Sequence, residues 1–244
     1  MNHKNSNLII NADDYGSDSN INTAIAFCMQ NNIINSTSIM VNTNGFQEAV
    51  ELAYKFYFTD RIGIHLNLTH GKSLTDLSGT GLTDDNGFIR KSISKHHIFL
   101  SRTIRDRIEN EIIQQYNKLL EANITPTHID SHHSVHVLPW MAGIFLKLAK
   151  KEKLKIRLSN DRFRKNIIYY IYNKYINNVY RKNNLNFSDK LETIDSFIKH
   201  YNKEKDMYKV YEVLVHPTYI GDNIIDFVDN INLEQAILKL KQYL

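Results

Sequence analysis

Apolar positions recur along the chain with two different periods. Leu8, Ile9 and Ile10 form a short apolar run that ends in Asn11-Ala12-Asp13-Asp14-Tyr15-Gly16, which predicts a buried strand followed by a turn. Ile21, Ala24, Ile25 and Cys28 share one face of a helix expected over 19–31. Residues 36–41 predict a second strand. Phe46, Ala49, Val50, Ala53 and Tyr54 mark a helix over 46–56. Over 61–68, Ile62, Ile64, Leu66 and Leu68 alternate with other residues, as a third strand requires, and His65 then faces away from Ile64 and Leu66.

Gly, Ser, Thr and Asp dominate residues 70–94, and an irregular insertion is expected over about 70–98. A strongly amphipathic helix follows over 102–122. Residues 127–130 predict a short strand entering a histidine-rich loop, 138–150 a helix and 154–158 a strand. Ile167, Ile168, Ile171, Tyr172, Tyr175, Ile176 and Val179 predict a mostly helical insertion over about 162–205. Residues 208–215 read as a final strand ending in His216-Pro217, and 232–244 as a closing helix. With no repeat and no flexible linker, residues 1–244 read as a single domain. Strands alternating with helices predict an α/β fold with a mainly parallel sheet or barrel, where reacting groups collect at the carboxyl ends of the strands.

Composition narrows the class. A chain of 244 residues can bury one sizeable core. Its 42% hydrophobic and 23% charged residues speak against a disordered chain. The single cysteine, Cys28, forms no disulfide within the chain and is expected in the core. Residues 1–7 lack the apolar centre of a signal peptide, and no apolar run is long enough to span a bilayer. A cytoplasmic location is the expectation. The net charge of +4 is concentrated around 147–182, where a solvated basic face is expected. The rival, an anionic-surface or nucleic-acid binding role for this region, predicts steeply salt-dependent binding; no nucleic-acid partner is expected.

The polar residues at strand ends carry the chemistry. Asp13 and Asp14 follow the first strand, His65 lies late in the third, and Asp130, His132, His133 and His136 follow the fourth. Arg157 is late in the next strand and His216 ends the last. A parallel sheet would bring all of them to one rim. Adjacent carboxylates there are costly without a compensating cation, although Asp13 and Asp14 could instead cap the following helix. One carboxylate with two neutral imidazoles suits zinc and related divalent ions. The other carboxylate can then serve as a base, and a histidine on the far side as an acid. Residue types alone leave open which aspartate and which histidines would be ligands.

Four motifs together are specific. Asn11-Ala12-Asp13-Asp14-Tyr15-Gly16, Gly63-Ile64-His65-Leu66-Asn67-Leu68-Thr69, Thr127-His128-Ile129-Asp130-Ser131-His132-His133 and Val215-His216-Pro217 resemble, in order, those of the YdjC-like carbohydrate deacetylases, which include the chitooligosaccharide deacetylases. The resemblance implies a (β/α)-barrel-like fold related to the polysaccharide deacetylases and removal of an acetyl group from an N-acetylated sugar or oligosaccharide. It implies one divalent ion, magnesium or zinc, held by Asp14, His65 and His132, with Asp13 as general base and His216 as general acid. Arg157 would orient Asp13 or the substrate. Hydrolysis of another amide or of a phosphoester is the nearest alternative. Many relatives carry three consecutive histidines after the Asp-Ser pair, whereas here Ser134 holds the third position.

Beyond this core set, His133, His136, Asp130 and Trp140 are candidates for substrate contact. Trp140 could equally pack under the next helix. His128 is expected to pack beside its strand, and His96 and His97 to lie at the surface of the insertion. The tyrosines over 169–180 suggest core or subunit contacts, with a homodimer as one arrangement.

Overall fold

In the computed structural model, which describes residues 7–90, 101–160, 167–201 and 208–242, the strands run β1 (Leu8–Tyr15), β2 (Ser36–Ile39), β3 (Ile62–Leu66), β4 (His128–Ser131), β5 (Lys155–Ile156), β6 (Lys190–Glu192) and β7 (Tyr211–Val215). They form one sheet in the order β5-β4-β3-β2-β1-β7-β6, and every neighbouring pair is parallel. The sheet curls until its edges nearly meet. Ile156 of β5 bridges in parallel to Asn186, and the Phe187 N–H donates to the Ile156 carbonyl at 2.9 Å, just ahead of β6. This is the expected (β/α)-barrel-like α/β fold. Residues of β2, β3 and β4 are buried throughout, as strands covered on both faces must be.

Helices α1 (Ser19–Gln30), α2 (Phe46–Lys55), α3 (Arg102–Glu121), α4 (Ala142–Glu152), α5 (Ile167–Lys182), α6 (Ile194–His200) and α7 (Leu233–Lys241) connect the strands or close the fold. Asp18 caps α1 by accepting from the Asn20 and Ile21 amides, and Ala24, Ile25 and Cys28 face the core. The insertion after β3 is irregular over its described part, with isolated bridges between Lys72 and Phe88 and between Thr83 and Ile89. The buried Glu111 of α3 anchors it by accepting from the Leu74 and Thr75 amides. His96 and His97 lie outside the described residues.

Four expectations need correction. First, β1 does not turn at Asn11; it runs on to Tyr15 through a bulge. Ala12 pairs with Thr37 and Tyr15 with Ile39, so β1 advances three residues while β2 advances two, and Asp14 has φ +67°. Second, α4 starts at Ala142, not Leu138, because Pro139 biases Leu138 to extended backbone (φ −69°, ψ 140°). Third, the segment expected as a mostly helical insertion over about 162–205 does contain α5 and α6, but it is not only an insertion. It supplies β6, an edge strand too short to show a period of its own. Fourth, β7 is not the last strand. It leads into a small antiparallel sheet of β8 (Pro217–Ile220), β9 (Asn223–Asp226) and β10 (Ile231–Asn232).

Among the described residues no helix is long and apolar enough to cross a membrane. The basic stretch is partly answered by local acceptors. Lys147 pairs with Glu109, Lys155 donates to the Asn184 carbonyl at 2.8 Å, and Arg157 turns inward. Of the α5 tyrosines, Tyr180 is buried and donates to the His136 carbonyl, while Tyr169 and Tyr175 are exposed.

His128 illustrates what burial costs in acid. Its ring stacks on Phe187 at 3.9 Å between centroids and fills the space where Gly63 has no side chain. Burial depresses its pKa to about 4, against a partial pull upward from Asp130. The unfolded chain therefore binds a proton below pH 6.5 that the folded chain refuses until about pH 4, so stability present above 6.5 is lost as the pH falls. The shift is worth about 3 kcal/mol. His136 is likewise depressed to about 4 by burial. His128→Phe, which keeps the stack, should remove about half of the loss of thermal stability between pH 6.5 and 4. Unchanged pH dependence of melting would assign that loss to other groups.

Candidate active site

The bulge in β1 sets the geometry. Regular alternation would send Asp13 and Asp14 to opposite faces of the sheet; the extra residue and the left-handed backbone of Asp14 let both reach one cleft. Asp14 Oδ1 lies 3.2 Å from His65 Nε2 and 2.8 Å from His132 Nδ1. His65 is the penultimate residue of β3, and His132 follows β4 directly.

Asp14 Oδ1 is buried and, despite those distances, has no hydrogen bond of acceptable geometry. One ligand atom from each of the three residues lies within 4.8 Å of the others. A carboxylate oxygen and two imidazole nitrogens converging without hydrogen bonds form a donor set that fits a divalent ion. The orientation of His65 agrees. Its Nδ1 stands 2.7 Å from Asp130 Oδ1, which fixes the ring so that Nε2 is the atom it would offer to an ion beside Asp14. Burial alone would raise the Asp14 carboxyl, but His132 and His65 hold it far below the usual carboxylate range. Burial would lower His65, yet the charges of Asp130 and Asp13 hold it well above the ordinary histidine value. The His65 shift expresses the negative charge gathered around it, and the Asp14 shift expresses the two imidazoles that face it.

A second cluster, Asp13, His65 and Asp130, is also compact, but it already contains a cation. Arg157, one residue past β5 and 3% exposed, donates to both oxygens of Asp13 at 2.6 and 2.7 Å and to Glu212 at 2.6 Å, and forms an ion pair with Asp130 at 2.7 Å. Asn11 donates to Asp13 Oδ1 at 2.9 Å, and Ser38 to Asp130 Oδ2 at 2.9 Å. Burial pushes the Glu212 carboxyl up to about 7 against the pull of Arg157. The opposite pull wins at Asp130, which Arg157 and His65 hold below the normal range despite burial.

His216 follows β7 and faces the same cleft of about 380 Å³ as Asp13, Asp14 and His132. Its amide donates to Asp226 Oδ2 at 2.9 Å. The acidic pair, the two converging imidazoles and His216 thus sit at the carboxyl ends of parallel strands.

Comparison with known proteins accords with this arrangement. The model of the family described as YdjC-like protein matches residues 7–242. The chain belongs to the YdjC-like family. A carbohydrate deacetylase from Brevibacillus brevis is 30% identical over 97% of this chain and 94% of its own length. One from Vibrio parahaemolyticus is 29% identical over 89% and 80%. A crystal structure from Enterococcus faecalis V583, of a protein proposed to act in cellobiose-phosphate cleavage, superposes with a TM-score of 0.71 at 23% identity, covering 97% and 92%. That likeness is one of fold.

As a YdjC-like protein, the chain departs from its sequence-based expectations at the substrate-contact candidates. Asp130 and His136 are buried and do not line the cleft. Asp130 joins His65 to Arg157, and His136 Nδ1 is 2.8 Å from Ser131 Oγ. Trp140 packs against the core. His133 is exposed, with Nδ1 2.8 Å from Thr69 Oγ1, and it too lies off the cleft lining. It shares left-handed backbone with Ser134, at φ 55° and 54°. Arg157, read as orienting Asp13 or substrate, is placed on Asp13 behind the cleft.

Sequence reasoning missed Asn11, Ser38, His70 and Glu212. His70 lines the cleft with its ring 6.5 Å from that of His132, one residue beyond the third-strand motif. Glu212 was detectable as a lone charge inside the apolar run Tyr211–Val215.

Proposed function

We propose that this protein hydrolyses the N-acetyl group of an N-acetylated sugar or oligosaccharide, with a divalent ion held by Asp14, His65 and His132. The observation that carries the reading is Asp14 Oδ1, buried, without a hydrogen bond and faced by two imidazole nitrogens, beside a second carboxylate in the same cleft. The names of relatives about 30% identical supply the substrate class. The imidazole pair favours zinc over magnesium. Bound there, the ion would polarise the acetyl carbonyl and lower the pKa of a coordinated water.

The chain's own residues do the rest. Asp13 takes the proton from the attacking water. Arg157 and Asn11 fix the orientation of its carboxylate before substrate arrives, so no reorganisation is needed at the moment of reaction. His216 stands on the cleft wall and protonates the departing amine, which makes the free amine a better leaving group than its anion. Glu212 and Asp130 hold Arg157 from behind.

Acetate release from N-acetylated mono- and oligosaccharides, measured beside the metal content of the purified protein, tests this reading. About one ion per chain and acetate as product are expected. Phosphate release from phosphoesters without acetate release would transfer the site to the phosphoester alternative. His216→Gln should lower kcat by about 10²-fold with metal content unchanged. Unchanged kcat would remove His216 from the acid role.

A further inference from the structure

We infer that Phe227 is the platform on which the apolar face of the sugar ring stacks, and so selects a cyclic sugar over an open-chain N-acetyl amine; this rests on the sugar-deacetylase reading above. Among the described residues lining the cleft, Phe227 carries the one aromatic ring other than imidazole. It is 68% exposed, a large apolar surface left open in a cleft whose other lining residues include Asp14, His70 and His132.

Its backbone is held firmly. The Phe227 amide donates to the His216 carbonyl at 2.9 Å. The buried Asp226 before it accepts from the amides of His216, Val228 and Asp229 at 2.9, 2.9 and 3.0 Å. Pro217 and Asp226 pair across β8 and β9. Phe227 and His216 are therefore fixed to each other across the base of the β8–β9 hairpin. A pyranose has a C–H face and a hydroxylated edge. An aromatic face, negative at its centre, suits the C–H face, and the polar residues beside it suit the edge. A ring seated on Phe227 would stand next to His216.

The test compares Phe227→Ala, Phe227→Leu and Phe227→Trp with the parent, using N-acetylglucosamine and N,N'-diacetylchitobiose against N-acetylglucosaminitol, which keeps the acetamide and a hydroxylated chain without a ring. Sugar binding is read by calorimetry and turnover by acetate release. Phe227→Ala and Phe227→Leu should each raise Kd and KM for the cyclic sugars about tenfold, leaving kcat and the alditol values within about twofold, and Phe227→Trp should retain parent values. The same Kd for cyclic sugars in parent and Phe227→Leu, or an equal loss for the alditol, overturns the inference. Phe227-dependent sugar binding without acetate release would overturn the deacetylase reading and leave the platform standing.

Discussion

Asp14→Asn protein is expected to purify with about a tenth or less of the metal held by the parent and to lose roughly 10³-fold or more of its acetate-releasing activity. Asparagine is the informative replacement. It keeps the size of the side chain and tolerates the left-handed backbone that Asp14 adopts at φ +67°. What it removes is the negative charge between His65 and His132. His132→Ala removes a ligand from the opposite side, and should give the same paired loss of ion and activity. Circular dichroism should show both variants folded, since His132 follows β4 and neither change touches the core strands' apolar faces. Full metal content and full activity in Asp14→Asn would exclude Asp14 as a ligand and shift attention to Asp13.

Arg157→Met should be the most destabilising single change in the barrel. It removes one guanidinium from Asp13, Asp130 and Glu212 together and leaves three carboxylates buried without their cation. Breaking such an arrangement by deleting one partner costs about 3–5 kcal/mol, which in a chain of this size lowers Tm by about 10 °C. Arg157→Lys should recover only part, because an ammonium cannot reproduce the paired bonds to Asp13. The loss should also depend on pH in a defined direction. Without the arginine, the folded carboxylates hold protons to higher pH than they do unfolded, so the variant's stability falls as pH rises. Glu212, already at about 7 beside the arginine, is the first to contribute. Thermal melts at pH 5.5 and 8 should show the larger deficit at 8, and an equal deficit at both would mean that the carboxylates are compensated from elsewhere.

These two changes also mark the limit of what the residues reveal before folding. The four motifs and their alternating apolar runs were enough to anticipate β1 to β4, the parallel sheet and the rim on which Asp14, His65 and His132 meet. Only the family resemblance pointed to Arg157 acting on Asp13; local pattern could not, because the two are 144 positions apart and only barrel closure joins them. Glu212 and Asp130 belong to the same long-range network. Short elements escaped for another reason. β6 has three residues and β10 two, below the length at which periodicity can be recognised. The hairpin joining β8 and β9 was within reach, since Gly221-Asp222 between apolar runs is a recognisable turn signal. Phe227 lies just past that hairpin, so the cleft wall it forms went unread with it.

The bulge in β1 makes the separation of Asp13 and Asp14 a property of one peptide unit. Side chains elsewhere in the barrel can be exchanged for others of similar volume without altering which carboxylate meets Arg157 and which meets the histidines. Deleting either residue between Ala12 and Tyr15 would instead restore the two-residue rhythm, leave one carboxylate where the site needs two and so leave the barrel without a site. Substitutions over most of this sheet are thus tolerable in kind, while a change of chain length at this one position is not.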